Sequence, residues 1–477
     1  MVDRDQRVFA SGEVATSDDA GPGALAAPSG ESIPVRFDGP ETGTAPLSWG
    51  QRELWHIMES KHIWLPIGAA PPLPPGTTVA DALADLAFVM GRYPSMRTRL
   101  RLDPEGPKQV VAASGEISLE IVDAPADADP AEVAEQIRKR YFNGNHDFVT
   151  DWPLRMAVIR HRGALTHRVW VMCHLVTDGA GSRVILADLA GRDGAGPTGA
   201  SALEQARWQV SPAGQRQSAA ALRHWERVLR RASTHRFPER SATPYPRYWQ
   251  ARSGSPATHL AARVIAARTG VEVASVLLAL FAVALARVTR INPVVVVLVV
   301  NNRFRPGLAR TVSPLIHPGL CVLDLPDATV DEAVAHARRR AMVAYKYAYY
   351  DPPQREELID RINRERGEEI DLECSFNDRR LRPRDESAPL PTSEQIRAAV
   401  AERSFEWTHQ QDERAFDHLY VNVDDEPDTV QLTLVCDVHH VAPEDVEAWV
   451  RGMEEVAVAA ALDPATRTLV PASESVP

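Results

Sequence analysis

Residues Arg168–Leu189 read RVWVMCHLVTDGAGSRVILADL and impose a strand, a tight turn and a helix in immediate succession. Arg168–Cys173 alternates apolar and polar residues and is rich in β-formers, whereas Ser182–Leu189 spaces its apolar residues as a helix does. The turn between them carries His174, Thr177, Asp178, Gly179 and Gly181. A strand that ends on a titratable imidazole and resumes as a helix after glycines is a common way to present a base at the mouth of a cleft.

The flanking sequence supplies further elements of both kinds. Leu154–His161 and Leu165–Cys173 predict a hairpin around Arg162-Gly163. Ser48 is placed to cap a helix, with Gln51 at capping-box spacing and Leu54, Trp55 and Met58 on its apolar face. Helices are expected from Thr78 to Val89, at Ala221–Leu229, at Ser275–Arg290 and at Pro443–Ala461. Val294–Val300 is an unbroken, mostly β-branched run, the pattern of a strand buried on both faces. Asp371–Asn377 and Thr429–Val438 read as late strands. His439-His440 lies just before a helix start at Pro443 and reads as a surface turn.

Composition narrows the possible functions. The chain has 477 residues, 44% hydrophobic and 25% charged, with net charge −11 and pI about 5.8. That acidity disfavours nucleic-acid binding. No window carries the roughly 18 apolar residues of a membrane helix, and the N-terminus lacks an apolar signal core. Cys173, Cys321, Cys374 and Cys436 lie far apart without a CxxC pair, which fits a reducing cytoplasm rather than a disulfide framework or a zinc site. With no second ligand cluster near His174 in sequence, no metal is expected. No GxSxG, P-loop or dinucleotide fingerprint is present.

The turn itself, Cys173–Gly179 or CHLVTDG, resembles the HHxxxDG signature of the condensation-domain superfamily, which includes the condensation domains of nonribosomal peptide synthetases and the chloramphenicol acetyltransferase-like acyltransferases. The second His, the Asp and the Gly match at His174, Asp178 and Gly179, and Cys173 replaces the first His. Companions follow in order. Leu47, Ser48, Gln51, Leu54 and Trp55 resemble the opening LSxxQxxLW motif. Arg92, Arg97 and Thr98 match RHExLRTxF, which the chain leaves at Tyr93 and Pro94. Phe148 and Pro153-Leu154-Arg155 are similar to the entry into the paired strands. Asn302, Arg303 and the stretch Val312–Leu320 are similar to the later Asn-Arg region, with Ser313 and His317 standing where the family has Gly and Asn. The resemblance spans about residues 46 to 465.

The resemblance implies an α/β fold of two chloramphenicol acetyltransferase-like lobes, a V-shaped pseudo-dimer with a central channel. Its expected boundaries are a flexible tail over 1–44, an N-terminal lobe over 45–190, a Gly-rich linker over 191–212 and a C-terminal lobe over 213–470. It implies that His174 is the catalytic base and that the backbone N–H near Gly179 faces an oxyanion, as acyl transfer requires. Asp178 is implied to be structural, paired with Arg97. Asn302, Arg303 and His317 are candidates for a substrate channel. Successive strand residues point to opposite faces, so Cys173 is expected to turn away from His174 and to form no dyad with it.

The implied activity is that of a free-standing, cytoplasmic condensation enzyme of secondary metabolism. It would carry an acyl group from a carrier-protein phosphopantetheine thioester to a small amine or alcohol, with carrier proteins in trans and no bound cofactor, nucleic acid or membrane. Two alternatives stay open: acyl-CoA as donor, and a catalytically silent module that recruits a partner to a carrier protein.

Overall fold

The computed structural model describes residues 30–61, 63–191, 198–238, 244–325, 327–380, 389–412 and 417–472. Among them the chain divides into two compact units. The first takes the described residues up to Arg216 together with Asn301–Ile316; the second takes Gln217–Val300 and the residues from His317 onward. A short piece of the later chain thus belongs to the first unit.

The first unit runs β1 (Gly30–Asp38), β2 (Gly43–Pro46), α1 (Trp49–Lys61), β3 (Pro66–Ala69), α2 (Val79–Arg92), β4 (Thr98–Asp103), β5 (Gly106–Val111), β6 (Ser114–Asp123), α3 (Pro130–Asn143), β7 (Leu154–His161), β8 (Ala164–Cys173), α4 (Gly179–Ala190) and α5 (Ala202–Gln209). Its main sheet has the order β1-β6-β7-β8-β3, and β2-β5-β4 form a second sheet. Only β6 and β7 of the main sheet pair in parallel. The sheet is covered on both faces. Met156 and Val158 of β7 pack in a cluster with Leu86, Val89 and Met90 of α2. The alternate residues Ala157 and Ile159 pack with Val133, Ala134 and Ile137 of α3. Period-two alternation on one strand thereby sorts side chains between two helices. The β7–β8 hairpin turns at Arg162 and Gly163, both with positive φ (51° and 82°), as a two-residue hairpin loop requires.

The second unit begins within α6 (Pro212–Leu229) and continues through β9 (Tyr248–Ser255), α7 (Pro256–Thr269), α8 (Val273–Thr289), β10 (Val294–Asn301), β11 (Ile316–Leu323), α9 (Val330–Lys346), α10 (Pro352–Arg366), β12 (Cys374–Asp378), α11 (Ser393–Ala399), β13 (Ser404–Gln411), β14 (Leu419–Asp424), β15 (Val430–Asp437) and α12 (Pro443–Leu462). Its sheet has the order β11-β10-β12-β14-β15-β9-β13. Helix α8 is buried from Ser275 to Ala286 because it is apolar all round. Phe281 meets Trp449 of α12 and Phe376 of β12 at ring-centroid distances of 5.4 and 5.2 Å. Among the described residues no single helix is long and apolar enough to cross a membrane.

Two boundary expectations need correction. Residues 30–38, assigned to a flexible tail, form β1 and pair with β6 along its full length. The reason is alternation: Val35 and Phe37 are buried on one face, a pattern that a segment-wide composition averages away. Residues 1–29 lie outside the described residues. The expected linker over 191–212 contains α5, which Ser201 caps with Glu204 at capping-box spacing, and Leu203 and Ala206 of α5 pack with Ala45 and Val111. The Gly-rich centre of that linker, 192–197, also lies outside the described residues.

Candidate active site in the first unit

Strand β8 ends at Cys173, and the chain then turns sharply. His174 N–H donates to the Leu65 carbonyl (3.0 Å), and Val176 N–H donates to that of Cys173 (3.1 Å). The Gln51 side chain reaches from α1 to the Leu175 carbonyl (3.4 Å). Gln51 also closes the expected capping box with Ser48. Helix α4 starts at Gly179, three residues earlier than periodicity indicated, because Asp178 caps it by accepting the Gly181 N–H at 2.8 Å.

The imidazole of His174 is half-buried, and its Nδ1 lies 2.8 Å from the Thr177 carbonyl oxygen. A carbonyl only accepts, so Nδ1 carries the hydrogen, and in the neutral ring Nε2 is the nitrogen with the lone pair. Among the described residues Nε2 has no protein partner. The tautomer is set by a backbone atom that the sequence did not single out. Gly179 and Ala180 open α4 at the same turn and stay partly exposed at the helix N-terminus, where backbone N–H groups await acceptors.

Cys173 sits on the other side of the chain. Its thiol is 1% exposed, packs with Trp64, Phe142, Val171 and Leu175, and donates to the Trp64 carbonyl at 3.3 Å. Burial pushes its pKa up to about 12, so a thiolate is disfavoured.

Asp178 is paired, but with a different arginine from the one expected. Arg303 grips its carboxylate with two guanidinium nitrogens, each at 2.7 Å. The same guanidinium donates to the Thr311 and Ser313 carbonyls, at 2.9 and 3.2 Å, and to Asn301 Oδ1 at 3.2 Å. Leu315 N–H adds a bond to Asp178 Oδ2 at 3.2 Å. The pair is nearly sealed, with side-chain exposures of 11% for Arg303 and 2% for Asp178. It ties the turn bearing His174 to the inserted segment Asn301–Ile316. Gly181 makes room for it, since a Cβ there would lie 2.7 Å from Thr177 Oγ1 and 3.3 Å from the Arg303 guanidinium.

Arg97, the expected partner, is fully buried elsewhere. It donates to the carbonyls of Met90 and Gly91 (2.7 and 2.6 Å), of Ala112 (3.0 Å) and of Glu41 (3.1 Å). It thus satisfies the last carbonyls of α2, where a cation is favoured, and commits four of its five N–H donors. Gly39 admits it: a Cβ there would stand 2.2 Å from the guanidinium carbon.

A second carboxylate, unmarked in the sequence reading, fixes the far end of α4. Asp188 accepts from Arg92 Nε (2.9 Å) and the Tyr93 hydroxyl (2.6 Å), and it also pairs with Arg310 of the inserted segment. Tyr93 thus has a polar partner at the position where the chain leaves the family motif. Asn302 is fully buried, donating to the Leu315 carbonyl at 3.0 Å and accepting from Arg305 at 2.9 Å. His317 is fully buried in the second unit, edge-on to Tyr349 and Tyr350. Of the three channel candidates, Arg303 serves the Asp178 pair, while Asn302 and His317 have no solvent-exposed surface.

The CHLVTDG stretch thus places a histidine on a capped turn between a strand and a helix, with its aspartate held in a buried ion pair by Arg303 in place of the implied Arg97. The condensation-domain family model matches residues 77–467, and the chain belongs to that family. No curated protein matches the sequence. Solved structures share the fold. The condensation domain of chain release from the enacyloxin polyketide synthase is 17% identical with a TM-score of 0.65, covering 88% of this chain and 83% of its own. The X-domain from teicoplanin biosynthesis is 18% identical at 0.64, covering 90% and 97%. SgcC5 from Streptomyces globisporus is 18% identical at 0.62, covering 88% and 100%.

Proposed function

We propose that this chain catalyses condensation: it transfers an acyl group from the phosphopantetheine thioester of a carrier protein to a small amine or alcohol in secondary metabolism. His174 Nε2 takes the proton of the attacking N–H or O–H as the nucleophile adds to the thioester carbonyl. Backbone N–H groups at Gly179 and the start of α4 face the oxyanion that forms. Collapse of the tetrahedral intermediate expels the carrier thiolate, which accepts a proton and completes the exchange of thioester for amide or ester. Asp178 holds the turn through Arg303 and takes no proton.

The observation that carries this reading is the bond from His174 Nδ1–H to Thr177, which leaves Nε2 as the lone-pair nitrogen. The inert environment of Cys173 supports it further, because a general base then needs no partner nucleophile. The SgcC5 structure holds a 1,2-ethanediol derivative, which keeps an alcohol acceptor beside an amine.

The test is mass spectrometry of acceptor mixtures incubated with acyl-loaded carrier protein supplied in trans. Product with loaded carrier, absent with His174→Ala, is the expected result. Product from acyl-CoA alone would transfer the reading to a CoA-dependent enzyme. A second reading rests on the solved complex of the teicoplanin X-domain with OxyB, 19% identical to this chain at a TM-score of 0.63. In it the chain serves as a docking module, and a stable carrier complex without turnover across the acceptor panel would favour it.

A further inference from the structure

The double His at 439–440 contributes nothing to the acyl-transfer reading, yet its surroundings in the second unit are built. His440 lies on the turn after β15 and stacks face to face on His418, the residue before β14, with ring centroids 3.5 Å apart and 15° between planes. The two positions are brought together by the β14–β15 pairing, which sets Leu419 opposite Cys436, and Asp437 N–H donates to the His418 carbonyl at 2.9 Å. Asp437, at the end of β15, adds its carboxylate; Oδ2 lies 3.9 Å from His440 Nε2. One ligand atom from each of His418, Asp437 and His440 falls within 4.8 Å of the other two.

We propose that His418, Asp437 and His440 form a binding site for a divalent transition ion of the zinc class. Two imidazoles and a carboxylate are the donor set such ions take. Bonds of about 2.0–2.1 Å put tetrahedral ligands about 3.4 Å apart, so the three must close by roughly an ångström. His440 is 42% exposed on its turn and has room to move, whereas Asp437 is fixed.

The surroundings of His418 point the same way. Its Nε2 lies 3.0 Å from Glu373 and its Nδ1 3.4 Å from Asp371. Ligation takes one of these nitrogens from its carboxylate, and the other then stays against its own, the contact that the second nitrogen of a metal-bound imidazole characteristically makes. Asp417 adds a further carboxylate beside it in sequence, and its Oδ2 is buried without a hydrogen-bond partner among the described residues. Arg247 grips Asp437 with two nitrogens (2.6 and 2.9 Å), so the ion shares that carboxylate with a guanidinium. His439 stays outside the cluster, with its Nε2 3.1 Å from the Pro244 carbonyl oxygen. The ligands lie about twenty positions apart in sequence, which hides them from any reading of local spacing.

The experiment uses the untagged full chain, stripped with a chelator, dialysed and titrated with Co²⁺. The expected result is one tightly held equivalent with visible d–d absorption, displaced by Zn²⁺. His440→Ala should weaken uptake at least about tenfold, and His439→Ala should leave it unchanged. Should His440→Ala fail to fold, His440→Gln and His418→Gln are read instead. No uptake by the wild type overturns the site. So does uptake undiminished in the His440 variant, or lost equally in His439→Ala.

Discussion

At the residue scale, the chemistry turns on neighbours that face different ways. His174→Ala should lower the rate of product formation by about 10²–10⁴, the usual worth of a general base, with an unchanged melting curve. Cys173→Ala should keep most of the activity and cost stability instead, since it deletes a buried thiol. An alkylating reagent should leave Cys173 of the folded protein unlabelled, as judged by peptide mapping. Asp178→Ala strands a buried guanidinium, and breaking such a pair costs about 3–5 kcal/mol. Asp178→Ala and Arg303→Ala should therefore be strongly non-additive in a double-mutant cycle of denaturant unfolding, and Asp178→Ala with Arg97→Ala additive. A coupling of Asp178 to Arg97 instead of Arg303 would refute the observed pairing. The histidine, the aspartate and the turn were legible in the sequence because strand alternation and the motif reach only seven residues. The arginine was not, because it stands 125 positions from Asp178 and the motif pointed to Arg97, leaving Arg303 among the channel candidates.

At the scale of elements, the α3–β7 connection holds a built-in acid sensitivity. His146 stacks on Trp64 with centroids 4.9 Å apart and meets the edge of Phe148. Burial pushes its pKa down to about 4, outweighing the pull of Asp151 at 3.8 Å. The folded state then keeps the ring neutral while the unfolded chain protonates it below about 6.5. The His146 contribution to stability should consequently fall as pH drops from about 6.5 to 4 and level off below, a loss of roughly 3 kcal/mol. His224, stacked on Tyr347 in the second unit and lowered to about 4, adds a loss of the same sign. His146→Phe should reduce the slope of unfolding free energy against pH in that window; an unchanged slope would remove His146 from the account. Elements with strong periodicity or caps were readable in advance, including α2, α8, β10, β15 and α12. Strand β1 and helix α5 were not, because short amphipathic segments in small-residue surroundings look like linker until a partner surface exists.

At the scale of the molecule, the inserted segment decides how the chain can be divided. A fragment ending at Arg216 contains the turn bearing His174 but lacks Arg303, Leu315 and Arg310, the partners of Asp178 and Asp188. It also uncovers α1 at Gly50, where the Pro314 carbonyl approaches so closely that a Cβ would lie 2.1 Å from it. Such a fragment should melt without a cooperative transition by circular dichroism. Residues 301–316 appended through a flexible linker should restore one, and a cooperative melt without them would show the segment to be dispensable. No composition shift marks this piece, since its role is defined by what it meets in space.

The same discontinuity sets a schedule for synthesis. A ribosome that has finished Arg216 must add the hundred residues 217–316 before the segment is whole. At about 5–20 residues per second that takes about 5–20 s. Throughout that interval two aspartates destined for burial stay hydrated, and the turn bearing His174 has no latch. The nascent first unit is therefore exposed to chaperones and proteases for seconds after its own continuous stretch is complete, and the part of the protein read earliest from the sequence is among the last to be locked.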